Sequence, residues 1–313
     1  MFPDTGSARP VKERADIRRI DEGAIVMTLP FARTARPAVV VALVATLGAG
    51  TLSACRPGRP TGPTTTSRGP AFGLPNPGPF QATTTAVGQN TYYHPTQMGR
   101  DGARHPVVLW GNGTGASPSS YDGLLRHFAT HGFIVAAANT PNARTGREML
   151  AGLDYLTRVD STAGSPFQGK VDLTKVASSG HSQGGAGAAE TGADPRVDTV
   201  IVFQGSFAVK GSATTTALVL AGSADAPERR YAAYTSTQIP AAFAELRGAD
   251  HFVPVGNGGA FRGVATAWLY WQLRGDTAQS TLFVGPNCGL CNNSAWSRYE
   301  RNAAFQALTN PGA

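Results

Sequence analysis

Short apolar runs alternate with longer amphipathic segments between about residue 81 and residue 274. Apolar runs that are bounded by glycine and other turn residues are typical of strands buried on both faces of a sheet. We predict strands at 91–93, 106–110, 133–137, 176–179, 200–203, 218–221 and 242–246, and we expect the last of these to be the final strand.

Apolar residues at helical spacing fill the segments between these runs. They predict helices over 121–131, 147–156 and 261–273, and small residues predict a further helix through 186–189. Strands that alternate with helices indicate a doubly wound α/β domain, whose mostly parallel sheet is covered on both faces. We expect no inserted lid domain.

The N-terminal segment has the pattern of an export signal. Arg33 and Arg36 precede an apolar run at 37–52 that is too short and too rich in glycine for a membrane span. A basic region, an apolar region and small residues before a cleavage site are typical of a secretory signal peptide, which we assign to 27–54. We therefore expect residues 1–26 to be a misassigned start or an extension.

The signal ends in Leu-Ser-Ala-Cys at 52–55, which resembles a bacterial lipobox. The resemblance implies lipidation of Cys55 and an extracellular protein held on the cell membrane by its lipid. The alternative is an ordinary signal peptide with a cysteine there by chance. Residues 55–80 are rich in Pro, Thr and Gly and are predicted to form a semi-rigid tether before a catalytic domain at 81–313.

Charge and composition exclude one class of partner. The formal net charge is +7, but only 15% of the residues are charged and the basic ones are mostly scattered arginines. Proteins that bind nucleic acid usually cluster their Lys and Arg. We therefore expect a mildly basic surface and no nucleic-acid partner.

Cys288 and Cys291 remain once Cys55 is set aside, and an even pair fits an oxidising compartment. We expect a local disulfide between them. A free or redox-active C-x-x-C pair is the alternative, although such a motif normally opens a helix in a thioredoxin-like unit. Zinc would need four ligands, and the chain has no other cysteine to supply them.

The sequence Gly180-His181-Ser182-Gln183-Gly184 lies between a predicted strand and a predicted helix. It matches the G-x-S-x-G elbow, in which a strained turn presents a nucleophilic serine. The pattern by itself is weak in a chain with 38 glycines, and a glycine-rich surface turn is the alternative. Its position between strand and helix favours Ser182 as a nucleophile.

His251 is the candidate general base, because it follows the last predicted strand in a loop that can present an imidazole over the C-terminal edge of the sheet. A structural loop histidine is the alternative. His94 and His105 precede the nucleophile, and His181 lies inside the elbow and is expected to point away from Ser182.

His127 and His131 stand four residues apart, a spacing that also occurs in metal sites. Phe128 occupies the position where a zincin has Glu. We therefore expect an exposed helix face at these histidines and no metal site.

Asp225 is the candidate acid, since it follows a predicted strand and completes the chain order Ser182, Asp225, His251. Asp250 is an alternative, but its position next to His251 aims it away from the ring. Asp198 precedes a strand and is expected at the opposite end of the sheet.

Acyl transfer also needs two backbone N–H groups that face the developing oxyanion. Gln183, directly after the serine, is expected to supply one of them. The loop at 111–115 follows a strand, and its glycines allow the backbone to approach a ligand. A phosphate loop is the alternative, but the segment lacks the Gly-Lys-Ser/Thr ending of one.

Together these segments resemble bacterial cutinases and polyester hydrolases of the α/β-hydrolase fold, a group that includes enzymes acting on poly(ethylene terephthalate). The similarity extends over about 91–274 and includes the stretch at 119–135, the elbow at 180–185 and the histidine loop at 248–252. The wider dienelactone-hydrolase-like and chlorophyllase-like esterases are also similar.

The resemblance implies a serine carboxylic-ester hydrolase that needs no metal or organic cofactor. It implies Ser182, Asp225 and His251 as the catalytic triad, and the backbone N–H groups of Thr114 and Gln183 as oxyanion donors. The substrate would be a small ester, a lipid or a polyester. An acyltransferase or peptidase with the same triad is one alternative, and a non-catalytic, lipid-anchored binding protein is another.

Two positions depart from the family pattern. The family usually has Phe or Tyr where this chain has Thr114, as part of an aromatic clamp on the acyl group. A tryptophan on the loop after the next strand is also not evident, and Phe203 and Phe207 are the nearest aromatic residues. Both departures argue against tight binding of aromatic polyesters.

Overall fold

The computed structural model describes residues 72–309, which build one nine-stranded sheet. The strands are β1 (Ala82–Val87), β2 (Asn90–Pro95), β3 (His105–Gly111), β4 (Ile134–Ala138), β5 (Val171–His181), β6 (Thr199–Phe203), β7 (Thr216–Gly222), β8 (Ala241–Leu246) and β9 (Trp296–Arg301). Their spatial order is β1-β2-β4-β3-β5-β6-β7-β8-β9. Strands β3 to β8 are mutually parallel, whereas the pairs β1–β2, β2–β4 and β8–β9 are antiparallel.

Helices cover both faces of this sheet. They are α1 (Asp122–Thr130), α2 (Arg147–Asp160), α3 (Gln183–Thr191), α4 (Pro227–Thr235), α5 (Phe261–Arg274), α6 (Thr277–Ser280) and α7 (Ala303–Thr309). Helices α1 and α5 pack on one face, and α2, α3 and α4 pack on the other. The predicted α/β-hydrolase fold, with its mostly parallel, doubly wound sheet, is confirmed.

Successive side chains of the inner strands point to opposite faces of the sheet and pack into two separate hydrophobic cores. Val108 and Trp110 of β3 pack with α1 and α5, while Val107 and Leu109 pack with α2 and α3. All four side chains are fully buried. A strand buried on both faces has apolar side chains at nearly every position, and this is why continuous apolar runs predicted the inner strands.

The prediction that 242–246 is the final strand is wrong, because β9 pairs antiparallel with β8 at the edge of the sheet. The sequence of β9, Trp-Ser-Arg-Tyr-Glu-Arg, is mostly half-buried and rich in charge. Charged side chains on an edge strand discourage pairing with another chain. They also remove the apolar run by which the inner strands are recognised.

Residues 72–80, here called the N-terminal strap, pack on the domain although composition assigned them to the tether. Phe72 is buried, and the Leu74 N–H donates to the Gly263 carbonyl at 3.0 Å. The predicted signal peptide, Cys55 and the earlier part of the tether lie outside the described residues. No helix between 72 and 309 combines the length and apolar character needed to cross a bilayer.

Candidate active site

A sharp turn between β5 and α3 carries Ser182. Its backbone has φ 55° and ψ −116°, and its N–H donates to the Phe203 carbonyl at 2.9 Å. Positive φ is strained for a residue with a side chain. A Cβ at Gly180 would collide with the Gly184 carbonyl, and a Cβ at Gly184 would collide with the Gly111 carbonyl. The glycine spacing of the motif therefore has a steric cause.

The structure brings Ser182, His251 and Asp225 into one hydrogen-bonded row. The Ser182 Oγ lies 2.9 Å from His251 Nε2, and His251 Nδ1 lies 2.7 Å from Asp225 Oδ2. The His251 side chain is 31% exposed and that of Asp225 is 16% exposed, so the ring meets solvent while the carboxylate lies behind it. Such a row can move a proton from the hydroxyl to the imidazole and stabilise the resulting imidazolium.

The other two aspartates considered from the sequence bind elsewhere. The Asp250 carboxylate accepts the N–H of Phe252 at 2.9 Å, within its own loop. The Asp198 carboxylate accepts the N–H of Val176 at 2.8 Å, near the N-terminal end of β6. Neither of them has a hydrogen bond to the His251 ring among those of the described residues.

His181 is buried and joins two loops of the site. Its Nε2 lies 2.8 Å from the His251 carbonyl oxygen and must donate to it, so its Nδ1 accepts from the Tyr121 hydroxyl at 2.8 Å. The Tyr121 oxygen in turn accepts the N–H of Gly113 at 3.0 Å. Burial lowers the pKa of His181 to about 4, which keeps the ring neutral. This relay links the loop at 111–115 to the histidine loop.

The two predicted oxyanion donors lie on backbone near the serine turn. Gln183 is the first residue of α3, where an N–H has no acceptor within the helix. Thr114 is exposed on the loop after β3, the strand next to β5 in the sheet. The buried Asn112 fixes this loop, since its amide donates to the carbonyls of Ala138 at 2.6 Å and Thr140 at 3.0 Å.

Two side chains that the sequence did not single out hold the acid and base loops. The Gln204 amide donates to the Asp250 carbonyl at 2.5 Å and accepts the N–H of Gly222 at 2.9 Å. On α4, the Arg230 Nη2 lies 2.5 Å from Asp225 Oδ2. Neither residue belongs to a motif. The only hint in the sequence is position, since Gln204 directly follows β6 and Arg230 follows the acid by little more than one helical turn.

The prediction of an exposed face at His127 and His131 is wrong, because both side chains are buried. The strap covers them: His127 Nε2 donates to the Leu74 carbonyl at 3.0 Å, and His131 Nε2 donates to the Asn76 carbonyl at 2.9 Å. Helical periodicity does not reveal that a distant, irregular segment buries one face of a helix. Residues 72–309 contain no group of three or more His, Cys, Asp or Glu placed to hold a metal ion.

The aromatic residues near the site differ in their access to solvent. Phe203 is fully buried in the core. Phe207 is half-buried beneath the Arg144 guanidinium, which lies 5.6 Å from its ring centre. Phe252 is 67% exposed, and its ring lies 5.4 Å from the ring of His251. Phe252 therefore presents apolar surface to solvent directly beside the imidazole.

The expected disulfide is confirmed, since Cys288 and Cys291 are bonded to each other. Cys288 is buried in the core on the α5 face of the sheet, together with Leu290. The bond therefore ties the segment between α6 and β9 locally.

Sequence similarities agree with the α/β-hydrolase fold. Residues 62–303 match the model of a family described as PETase, PET hydrolase-like. A bis(hydroxyethyl) terephthalate hydrolase of Streptomyces coelicolor is 30% identical over 282 residues, which cover 82% of this chain and 88% of that protein. A cutinase of Thermobifida alba is 28% identical over 222 residues, covering 66% and 72%. A cutinase of Thermobifida cellulosilytica is 29% identical over 219 residues, covering 65% and 80%. The chain belongs to the PET hydrolase-like family of α/β-hydrolases, in the group of bacterial cutinases and polyester hydrolases.

Proposed function

We propose that this protein hydrolyses carboxylic esters through an acyl-enzyme on Ser182, with His251 as general base and Asp225 as its ionised partner. By family the chain is a carboxylic ester hydrolase. The observation that carries the residue assignment is the row of two hydrogen bonds, at 2.9 Å and 2.7 Å, behind a serine with positive φ.

In the first half-reaction the Ser182 Oγ attacks the ester carbonyl carbon while its proton passes to His251 Nε2. Negative charge then develops on the carbonyl oxygen. The backbone N–H groups of Gln183 and Thr114 are proposed to bind it, and the N-terminal end of the α3 dipole favours the same charge. The bond to the alkoxy oxygen breaks, the alcohol leaves with the proton from His251, and the acyl group remains on Ser182.

The second half-reaction repeats these steps with water. His251 takes a proton from the water, whose oxygen attacks the acyl carbon. The bond to the Ser182 Oγ breaks, the proton returns to that oxygen, and the carboxylic acid is released. Throughout, Asp225 accepts the hydrogen bond from His251 Nδ1 and stabilises the imidazolium.

We propose that small esters are better substrates than aromatic polyesters. Thr114 offers a short polar side chain where the resemblance leads one to expect an aromatic ring, and Phe203 is buried in the core. Phe252 is the most exposed large apolar side chain of the described residues, and it lies beside the base. A single ring can hold a small acyl group by edge or face contact, whereas two facing rings would be needed to clamp an aromatic unit.

The test is the hydrolysis of p-nitrophenyl esters from acetate to long acyl chains by residues 56–313, next to bis(hydroxyethyl) terephthalate and a polyester film. Ser182→Ala should lower kcat by about 10⁴-fold or more with the fold intact. Retention of activity in Ser182→Ala would refute the mechanism. Faster release from the film than from the short esters would refute the substrate preference.

We also propose that the protein is exported and anchored by lipid on Cys55. The basic residues Arg33 and Arg36, the apolar run at 37–52 and the lipobox-like ending support this proposal. The Cys288–Cys291 disulfide fits an oxidising compartment. Metabolic labelling with a radioactive fatty acid should label the native chain and not Cys55→Ser. Equal labelling of both chains would contradict the anchor.

A further inference from the structure

Arg230 reaches the acid of the site from α4 and makes three contacts with two consecutive residues, Asp225 and Ala226. Its Nη2 lies 2.5 Å from Asp225 Oδ2, and its Nη1 donates to the backbone carbonyls of Asp225 and Ala226. Ala226 has φ 41°, a left-handed conformation that side chains disfavour. The guanidinium thus braces both the carboxylate and the strained turn behind it.

The same guanidinium also approaches the base. Arg230 Nη2 lies 3.3 Å from His251 Nδ1. That nitrogen carries the proton directed at Asp225, so both groups donate to the same oxygen, Oδ2, and do not bond to each other. A positive charge at this distance opposes a second positive charge on the ring.

The placement of Arg230 is costly for folding. The residue is buried, and among the described residues its Nε has no hydrogen-bond partner. Burial lowers the pKa of the guanidinium, and Asp225 offsets part of that effect. Bracing the turn needs only the bonds to the two carbonyls. The contact with Oδ2 places the charge on the reactive row itself.

We propose that Arg230 is a positioning residue, which holds the Asp225 carboxylate in register with His251 and keeps a fixed positive charge beside the imidazole. This inference rests on the proposed function of the triad. Besides Asp225 and Arg230, the His251 ring is faced by His181 at 4.8 Å between ring centres, and His181 is neutral. Asp250, on the histidine loop itself, is turned to the N–H of Phe252.

The test compares Arg230→Gln, Arg230→Lys and the control Arg229→Gln in full pH–rate profiles on a short p-nitrophenyl ester. Arg229 is exposed on the same helix, so its substitution removes an equal charge without touching the site. Arg230→Gln should lower kcat about 10- to 100-fold with little change in KM, and should move the acid limb of the profile to higher pH. Arg230→Lys keeps the charge, so it should leave the acid limb in place. It loses the planar guanidinium that contacts the carboxylate and both carbonyls, so it should still lower kcat.

A wild-type kcat in Arg230→Gln, or a lowered kcat with the acid limb unmoved, would overturn the proposal. If Arg230→Gln does not fold, as judged by circular dichroism, Arg230→Lys decides alone: a wild-type kcat there overturns the proposal, and a lowered kcat with an unmoved limb supports it. Ser182→Ala in the same assay separates a failure of the proposed function from a failure of the role proposed for Arg230. If that variant stays active the proposed function has failed, whereas an inactive Ser182→Ala beside an unaffected Arg230→Gln refutes only the role of Arg230.

Discussion

Two pairs of histidine rings pack closely together within residues 72–309, and only one of them includes the candidate base. At the site, the rings of His181 and His251 are 4.8 Å apart. Beneath the strap, the rings of His127 and His131 are 4.6 Å apart. In each pair one ring donates from Nε2 to a backbone carbonyl and accepts at Nδ1 from a tyrosine hydroxyl. Close packing of imidazoles therefore does not by itself make a base.

The two pairs differ in the charge that faces them. His251 meets the Asp225 carboxylate and is 31% exposed, so its ring has both an anionic partner and access to solvent. The strap pair meets carbonyl oxygens and lies near Arg262 and Arg274. Burial lowers the pKa of both rings, to about 3 for His127, and the neighbouring charges add to the effect. A carboxylate and access to solvent distinguish the candidate base from a structural histidine.

The largest expected effect is the loss of kcat when a histidine of the site pair, rather than of the strap pair, is replaced. His251→Gln should lower kcat by about 10⁴-fold or more, because the proton of Ser182 then has no acceptor. His131→Gln should keep kcat within about 2-fold and lower the free energy of unfolding by about 1–3 kcal/mol, since buried partners lose a hydrogen bond. Ester hydrolysis and urea unfolding measure the two quantities. A comparable loss of kcat in both variants would remove the distinction.

The next effect is on stability in acid. In the folded state the pKa is about 3 for His127 and about 4 for His181, against about 6.5 in an unfolded chain. The unfolded state therefore binds more protons below pH 6.5. The stability from these neutral rings is complete above that pH and is lost as the pH falls, by about 1.4 kcal/mol per pH unit for each histidine.

Urea unfolding at pH 7, 6 and 5 measures this loss. His127→Gln removes one titrating ring and should make the dependence on pH shallower by about one proton. Arg126→Gln is the matched control, since Arg126 is a partly exposed cation on the same helix whose ion pair with Asp122 lies at the surface. The same slope in the native chain and in His127→Gln would show that the buried ring is not the source of the loss.

The sequence could predict where three residues of the candidate site lie, because they belong to or follow periodic and motif-bearing segments. Ser182 lies between an apolar strand and a small-residue helix, and Asp225 and His251 each follow an apolar run. In a parallel sheet the loops after successive strands meet at one edge. Their convergence therefore follows from the alternation of elements and needs no knowledge of individual contacts.

The residues that the sequence did not reveal act through the direction of one side chain or through contact with a distant segment. Arg230 is one of three charged residues on α4, and the turn at Ala226 directs it at Asp225. The strap has no periodic pattern, so nothing in helix α1 indicates that His127 is covered. Burial by a distant segment and the direction of a single side chain depend on tertiary packing, which local sequence patterns do not report.

The smallest expected effect comes from removing the tyrosine hydroxyl that is hydrogen-bonded to one histidine of each pair. Tyr121 donates to His181 Nδ1 at 2.8 Å, and Tyr270 donates to His131 Nδ1 at 3.1 Å. Tyr121→Phe and Tyr270→Phe each delete one oxygen atom. Both should cost about 1–2 kcal/mol of unfolding free energy, because buried hydrogen-bond partners are left unpaired.

Only Tyr121→Phe should also affect catalysis. Its oxygen accepts the N–H of Gly113, next to the proposed oxyanion donor Thr114, while His181 holds the carbonyl of His251. Losing this link should let both loops shift slightly and lower kcat by roughly 3- to 10-fold, a small part of what a misplacement of 1 Å can cost. Tyr270→Phe leaves the site untouched and should retain kcat. If both variants lose the same stability and neither changes kcat, the Tyr121–His181 relay is structural like its counterpart, and the difference between the pairs reduces to Asp225, Arg230 and exposure.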